Sequence, residues 1–244
     1  MTKGSDFYDE EDVFNIYMRA RDNTQSANAT LEEPAFLELL GDFKNATILD
    51  LGCGDGRFGQ YLLQNGCQSY TGIEPSKRMV ERAENTLIQP NATIYHQSME
   101  AWQYPNMHFD IVLSRLALHY VDDIASVFEQ VCNSLKPQGR FIFSVEHPII
   151  TSYDTPRDKS GKRQQWIVDN YFATGKRNVK WMNSEVTKYH RTIEDYFVAL
   201  QKANFLVEQL REPRPEPERF EDKALYERRQ RIPLFLLFSA KRPE

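Results

Sequence analysis

Gly52, Gly54, Gly56 and Gly59 fall within Asp50-Leu-Gly-Cys-Gly-Asp-Gly-Arg-Phe-Gly59, so one decapeptide holds four of the chain's eleven glycines. Glycines at this density let the backbone turn tightly and let a ligand approach the main chain, while the first N–H groups of a following helix stay free to receive it. A nucleotide-like ligand is expected at that bend. Gly54 to Gly59 also spells G-x-G-x-x-G, so on the glycines alone a nicotinamide or flavin cofactor stays open. Two carboxylates weigh against a pyrophosphate. Asp50 precedes the first glycine by two residues and Asp55 lies inside the loop, and both would repel phosphates. Glu74 follows Gly54 by twenty residues, the spacing at which an acidic side chain accepts hydrogen bonds from ribose hydroxyls. The set suits an adenosine with a cationic tail.

His119, His147 and His190 fall where loops gather above the sheet described below, with Glu146 immediately before His147. A base is needed only if the group attacked or deprotonated arrives with its proton. His147 ranks first as base or as a group that orients an acceptor, and His119 second. Cys53, Cys67 and Cys132 form no C-x-x-C pair and have no nearby histidine cluster, so neither a disulfide framework nor a metal site is expected. Cys53 is a small loop residue rather than a nucleophile.

The elements that position these groups alternate. Ala46 to Leu51, Tyr70 to Ile73, Ala92 to Tyr95, Phe109 to Leu113, Arg140 to Val145, Phe205 to Leu210 and Leu234 to Ser239 read as seven short strands. Helical patterns lie between them, opening at Phe58, running through Met79, Val80, Ala83 and Leu87, and starting at Asp122 as N-cap for Ile124 to Leu135. Thr192 and Asp195 form a capping box. Such alternation predicts an α/β fold with a mostly parallel, doubly wound sheet and helices on both faces. Residues 1–45 read as an N-terminal helical cap, with a stripe at Phe14, Tyr17 and Met18 and a second helix after Thr30 as N-cap. Residues 46–244 form the main domain.

Residues 151–191 interrupt the rhythm and read as a lid or substrate-binding insertion. They hold Trp166, Trp181, Tyr171 and Phe172, and nine cations (Arg157, Lys159, Lys162, Arg163, Lys176, Arg177, Lys180, Lys188, Arg191) against four anions, which suits an anionic acceptor. The whole chain carries a formal charge of -5 over 244 residues, which speaks against nucleic acid as a main partner. No apolar run approaches the ~18 residues of a membrane span, and Met1 to Asp12 is acidic with no apolar core, so a cytoplasmic location is expected.

Leu49-Asp50-Leu51-Gly52-Cys53-Gly54-Asp55-Gly56 and Gly72-Ile73-Glu74-Pro75-Ser76 together resemble a class I S-adenosylmethionine-dependent methyltransferase. Phe109 to Ser114, Leu118-His119-Tyr120-Val121 and Leu135-Lys136-Pro137-Gln138-Gly139 agree with it. The resemblance implies a Rossmann-like, seven-stranded fold with S-adenosyl-L-methionine as cofactor. It places Asp50 and the backbone of Gly52, Cys53, Gly54 and Gly56 near the methionine part, Glu74 on the ribose, and Pro75 and Met79 beside the adenine. Many members face the adenine amino group with an acidic residue after the third strand; this chain has Ser98-Met99-Glu100 there. Ser114, Arg115 and Leu116 would wall the sulfonium, and Arg19 would reach the cofactor carboxylate from the N-terminal helix.

Ser114-Arg115-Leu116-Ala117 is not the Asn/Asp-Pro-Pro-aromatic pattern of enzymes that methylate base amines, and no Pro-Cys pair marks a cytosine C5 enzyme. A small-molecule or peptide acceptor is expected, with oxygen ahead of nitrogen and carbon. The competing readings are an NAD-dependent oxidoreductase and a non-catalytic cofactor-binding module that regulates a partner.

Overall fold

The structure is a computed structural model that describes residues 6–153, 165–181 and 184–244. Seven strands form one sheet in the order β3-β2-β1-β4-β5-β9-β8: β1 (Thr47–Leu51), β2 (Ser69–Glu74), β3 (Ala92–His96), β4 (Phe109–Arg115), β5 (Leu135–Glu146), β8 (Leu206–Arg211) and β9 (Phe235–Lys241). The pairs from β3 to β5 are parallel, and β9 runs antiparallel to both β5 and β8. The chain reverses its strand order at β1 and β4, so a crevice opens at their carboxyl ends, where open α/β sheets take ligands.

The central strands β1 and β4 are short and mostly apolar because both of their faces are covered. On β1, Ile48 enters one buried cluster with Phe36, Leu40 and Leu62, while Leu49 and Leu51 enter the other with Phe128, Phe141 and Tyr196. The first cluster is covered by α2 (Glu33–Leu40) and α3 (Arg57–Gln64), the second by α5 (Ile124–Ser134) and α7 (Ile193–Lys202). α4 (Lys77–Thr86) follows β2, and α8 (Lys223–Arg229) precedes β9. Within residues 1–45, α2 packs on the sheet as part of the core, whereas α1 (Glu11–Arg21) and the 3-10 turn Asp6–Asp9 lie against the carboxyl ends of β1 and β2.

Three local expectations shift. The N-cap of α5 is Asp123, whose Oδ1 accepts from Ser126 N at 3.1 Å, because the helix starts at Ile124 and Asp122 stands one residue too early. Ser26, not Thr30, caps the turn leading to α2: its Oγ accepts from Ala29 N, and Thr30 is spent inside a π-turn, donating to Ser26 O. β5 begins at Leu135, before Pro137 and Gly139, since Leu135 pairs with Phe109 across an irregularity in the ladder. The Thr192–Asp195 box forms in both directions, at 3.0 and 2.8 Å.

In the described part of the insertion, α6 (Pro148–Ser152) is followed by an antiparallel hairpin of β6 (Gly175–Trp181) and β7 (Ser184–His190). Val186, Lys188 and His190 alternate onto the buried face of β7. Arg157, Lys159, Lys162 and Arg163, with Asp154 and Asp158, lie outside the described residues. Among the described residues no helix is long and apolar enough to cross a membrane, and no group of three or more His, Cys, Asp or Glu could hold a metal ion.

Candidate active site at the carboxyl ends of the parallel strands

The glycine bend is shaped by two close approaches. Gly52 has φ +80°, and a Cβ there would lie 2.5 Å from Ala117 Cβ, so the loop after β4 can close on the loop after β1 only over a glycine. Gly59 serves a side chain instead: a Cβ there would lie 2.4 Å from Cζ of Tyr70. The phenol thus passes under α3 and donates to Asp50 Oδ2 at 2.7 Å. The third glycine of the G-x-G-x-x-G match is therefore a packing position for Tyr70.

Two buried carboxylates face this bend. Asp50 is 3% exposed, and burial raises its pKa to about 6 against the Tyr70 hydrogen bond and the charges of Arg115 and Arg21, which lower it. Glu74 is 6% exposed and is pushed up to about 7, again chiefly by burial. Its Oε2 accepts from Gly54 N at 3.0 Å and its Oε1 from Ser76 N at 2.9 Å. A carboxylate oxygen has two lone pairs, so each retains room for one more donor.

Residues from the N-terminal segment meet the same rim. Asp9 Oδ1 accepts from Ser76 Oγ at 2.7 Å and from Arg78 N at 3.1 Å. Arg21, the last residue of α1, lies 3.4 Å from Asp55 Oδ1, and its Nη1 would sit 3.3 Å from a Cβ added at Gly54. Arg57 Nε is 3.0 Å from Asp55 Oδ2 but off line for an N–H···O bond, so that buried oxygen accepts none. Arg19, expected at the cofactor, is exposed on the outer side of α1; the cation that reaches the glycine bend is Arg21.

A second polar cluster adjoins the first. The hydroxyls of Tyr8 and Tyr120 are 3.2 Å apart, and Lys188 Nζ sits 5.7 Å from the Tyr120 ring centroid and 2.7 Å from Glu146 Oε1. His119 is buried beneath Tyr120, and its Nδ1 faces Glu146 N at 3.5 Å. Burial, with some help from Lys188 and Arg191, takes its pKa down to about 3, so it is neutral at ordinary pH.

A sequence profile described as a methyltransferase domain matches residues 21–210. An uncharacterized Haemophilus influenzae protein is 34% identical over 216 residues, 84% of this chain and 85% of that one. The crystal structure of an S-adenosylmethionine-dependent methyltransferase from Mesorhizobium loti superposes with a TM-score of 0.79 at 33% identity, covering 89% of this chain and 98% of that chain. A malonyl-[acyl-carrier protein] O-methyltransferase from Buchnera aphidicola is 33% identical over 110 residues, 44% of this chain and 42% of that protein. The chain belongs to the class I S-adenosylmethionine-dependent methyltransferases. S-adenosylmethionine is its cofactor.

The residues of this methyltransferase fit that cofactor better than a dinucleotide. Gly54 N, which would face a diphosphate, is already given to Glu74, and Asp55 fills the first turn of α3 by accepting from Arg57 N. What remains open is acceptor capacity on buried carboxylates, which suits a diol and cationic groups. Met99 is buried with its methyl 3.8 Å from the Cβ position of Gly52, Ser98 is half-buried and Glu100 is exposed. Met79 is buried and Pro75 half-buried at the start of α4. Cys53 is buried, and its thiol is held well above the usual range, first by desolvation and then by Glu74 and Asp50.

Other expected residues of the methyltransferase turn elsewhere. Ser114 Oγ donates to Leu51 O at 2.9 Å and ties β4 to β1. Leu116 takes φ +54°, which re-aims the chain toward Ala117 and Gly52. Arg115 donates to both oxygens of Glu32, at 3.2 and 2.5 Å, under the rings of Phe36 and Phe58, so its guanidinium faces α2 while its charge still reaches Asp50. His147 is the N-cap of α6: its Nδ1 accepts from Ile149 N at 3.1 Å, which leaves Nε2 to donate to Glu212 Oε1 at 2.8 Å. Both of its ring nitrogens are thus hydrogen-bonded within the protein. His190 is also taken up, by Thr151 Oγ1 and Tyr171 O, each at 2.8 Å. The sequence alone does not mark Tyr8, Asp9, Arg21, Tyr120 or Lys188 as site residues.

Proposed function

We propose that the enzyme methylates a carboxylate oxygen of a small-molecule or peptide acceptor. When bound, S-adenosylmethionine supplies an electrophilic methyl group on a sulfonium. Glu74 holds the ribose hydroxyls, Asp50 and the Gly52–Gly56 backbone hold the methionine end, and Met79, Pro75 and the Ser98–Glu100 turn border the adenine. Arg21 closes over the bend from α1. The acceptor enters beside Tyr8, Tyr120 and Lys188.

The observation that carries the acceptor class is the state of the two histidines expected to act as bases: His147 is bound at both nitrogens, and His119 is held neutral with a pKa of about 3. A carboxylate attacks as it arrives and needs no proton removed, whereas an alcohol or an ammonium group would need a base. The local charge supports the same reading, because Lys188 and Arg191 outnumber Glu146 around His119. The Buchnera relative is named for O-methylation of a malonyl group. What the protein contributes is position: bringing two bound reactants into line supplies up to about 7–11 kcal/mol. The overall charge of -5 supports a metabolite or peptide rather than nucleic acid.

The test is transfer from methyl-labelled cofactor to a soluble metabolite extract, followed by mild alkali. A methyl ester releases its label as volatile methanol. Label that resists alkali, or that travels with nucleic acid, would overturn the carboxylate reading.

A further inference from the structure

Lys188 stands where strand physics would place an apolar residue. β7 turns Val186, Lys188 and His190 inward, and Lys188 is only 5% exposed. Its partner Glu146 ends β5, and Tyr120 stands over it from the loop after β4, so three elements converge on one ammonium group. A buried ion pair is a poor source of stability, because desolvating two charges offsets most of their attraction and an apolar pair of similar volume does as well or better.

Resting on the carboxylate reading above, we propose that Lys188 is the specificity-determining residue that selects an anionic acceptor, and that Glu146 occupies its place until the acceptor arrives. The ammonium group pairs with the incoming carboxylate in exchange for Glu146. The chemistry is ion exchange within a buried pair, so the two members have opposite effects. Removing Glu146 relieves competition for the ammonium group, while removing Lys188 leaves the acceptor facing the Glu146 carboxylate. If Glu146 were instead the recognition group, for an amine acceptor, both signs would invert.

The test uses the full chain and a metabolite extract split on ion-exchange resin into anionic, neutral and cationic fractions, with S-adenosylhomocysteine formation as the readout. The wild type is expected to turn over the anionic fraction. Lys188→Met should raise the apparent KM for that fraction about tenfold or more, Glu146→Gln should lower it, and Lys188→Arg should restore most of the loss. Affinity for S-adenosylhomocysteine, measured by calorimetry on each variant, should stay at the wild-type value and shows that the fold is intact. A Lys188→Met enzyme with wild-type KM for the anionic fraction would overturn the role of Lys188 and leave the carboxylate reading standing. Activity confined to the neutral or cationic fraction, or to none, would overturn that reading and the selection by Lys188 with it.

Discussion

Tyr70 reaches Asp50 through the gap left by Gly59, with 2.7 Å between the phenol oxygen and Oδ2. This bond is one of the forces that keep the Asp50 carboxyl from rising further than about 6. Tyr70→Phe keeps the ring but removes the donor, so the pKa of Asp50 should rise and cofactor binding at pH 7 should weaken. Gly59→Ala forces a methyl group into the ring and should lower stability by about 1–3 kcal/mol. Chemical denaturation with parallel calorimetric titration checks both; a Gly59→Ala protein of wild-type stability would mean that the approach of Tyr70 to α3 is not tight.

Cofactor affinity should depend on pH through Glu74 and Asp50. Burial raises both, to about 7 and about 6, and each serves the ligand as a carboxylate. Affinity should therefore fall as pH drops from 8 to 5.5, by roughly tenfold per unit between the two pKa values and more steeply below the lower one. Stability of the ligand-free protein runs the other way. The folded state holds these protons more tightly than the unfolded state does, so the stabilisation is present below about pH 4 and is lost as pH rises through 6 to 7. Glu74→Gln should flatten both dependences, as read by titration with S-adenosylhomocysteine and by thermal melts across pH.

His147→Ala should act on stability rather than turnover. It removes the N-cap of α6 and the bond to Glu212, a cost of about 1–2 kcal/mol, while no reacting group depends on it. The kcat of the folded fraction should stay within about twofold of wild type. A large loss of kcat without loss of stability would restore His147 to the chemistry.

Arg21 and Arg19 separate cleanly. Arg21→Met removes the cation at Asp55 and Gly54 and should weaken cofactor binding several-fold; Arg19→Met, on the exposed side of α1, should not change it. Equal effects from the two substitutions would mean that α1 adopts another register in solution.

The sequence exposes the parallel half of this fold because buried strands such as Thr47–Leu51 are mostly apolar, with Asp50 as the one buried charge, and are punctuated by the glycine bend. The same density of glycine and acid marks Asp50 and Glu74. The β6–β7 hairpin stays hidden for a physical reason: its inward positions are Val186, Lys188 and His190, so two of three buried residues are polar and hydrophobic alternation cannot mark the strand. Tyr8 and Asp9 are equally silent, because their partners Tyr120 and Ser76 lie 112 and 67 residues away and no local pattern joins them. Histidine positions are ambiguous for the converse reason. Placement after a strand does not say whether the ring faces the crevice or, as at His147, turns back to cap the next helix.

The most direct measurement is a crystal structure of the protein grown with S-adenosylhomocysteine. The account predicts both ribose hydroxyls within hydrogen-bond distance of the Glu74 carboxylate, and the sulfur beside the Gly52–Ala117 contact, facing Tyr120. A nucleoside bound away from Glu74, or a Glu74 side chain that keeps only its bonds to Gly54 and Ser76, would contradict it.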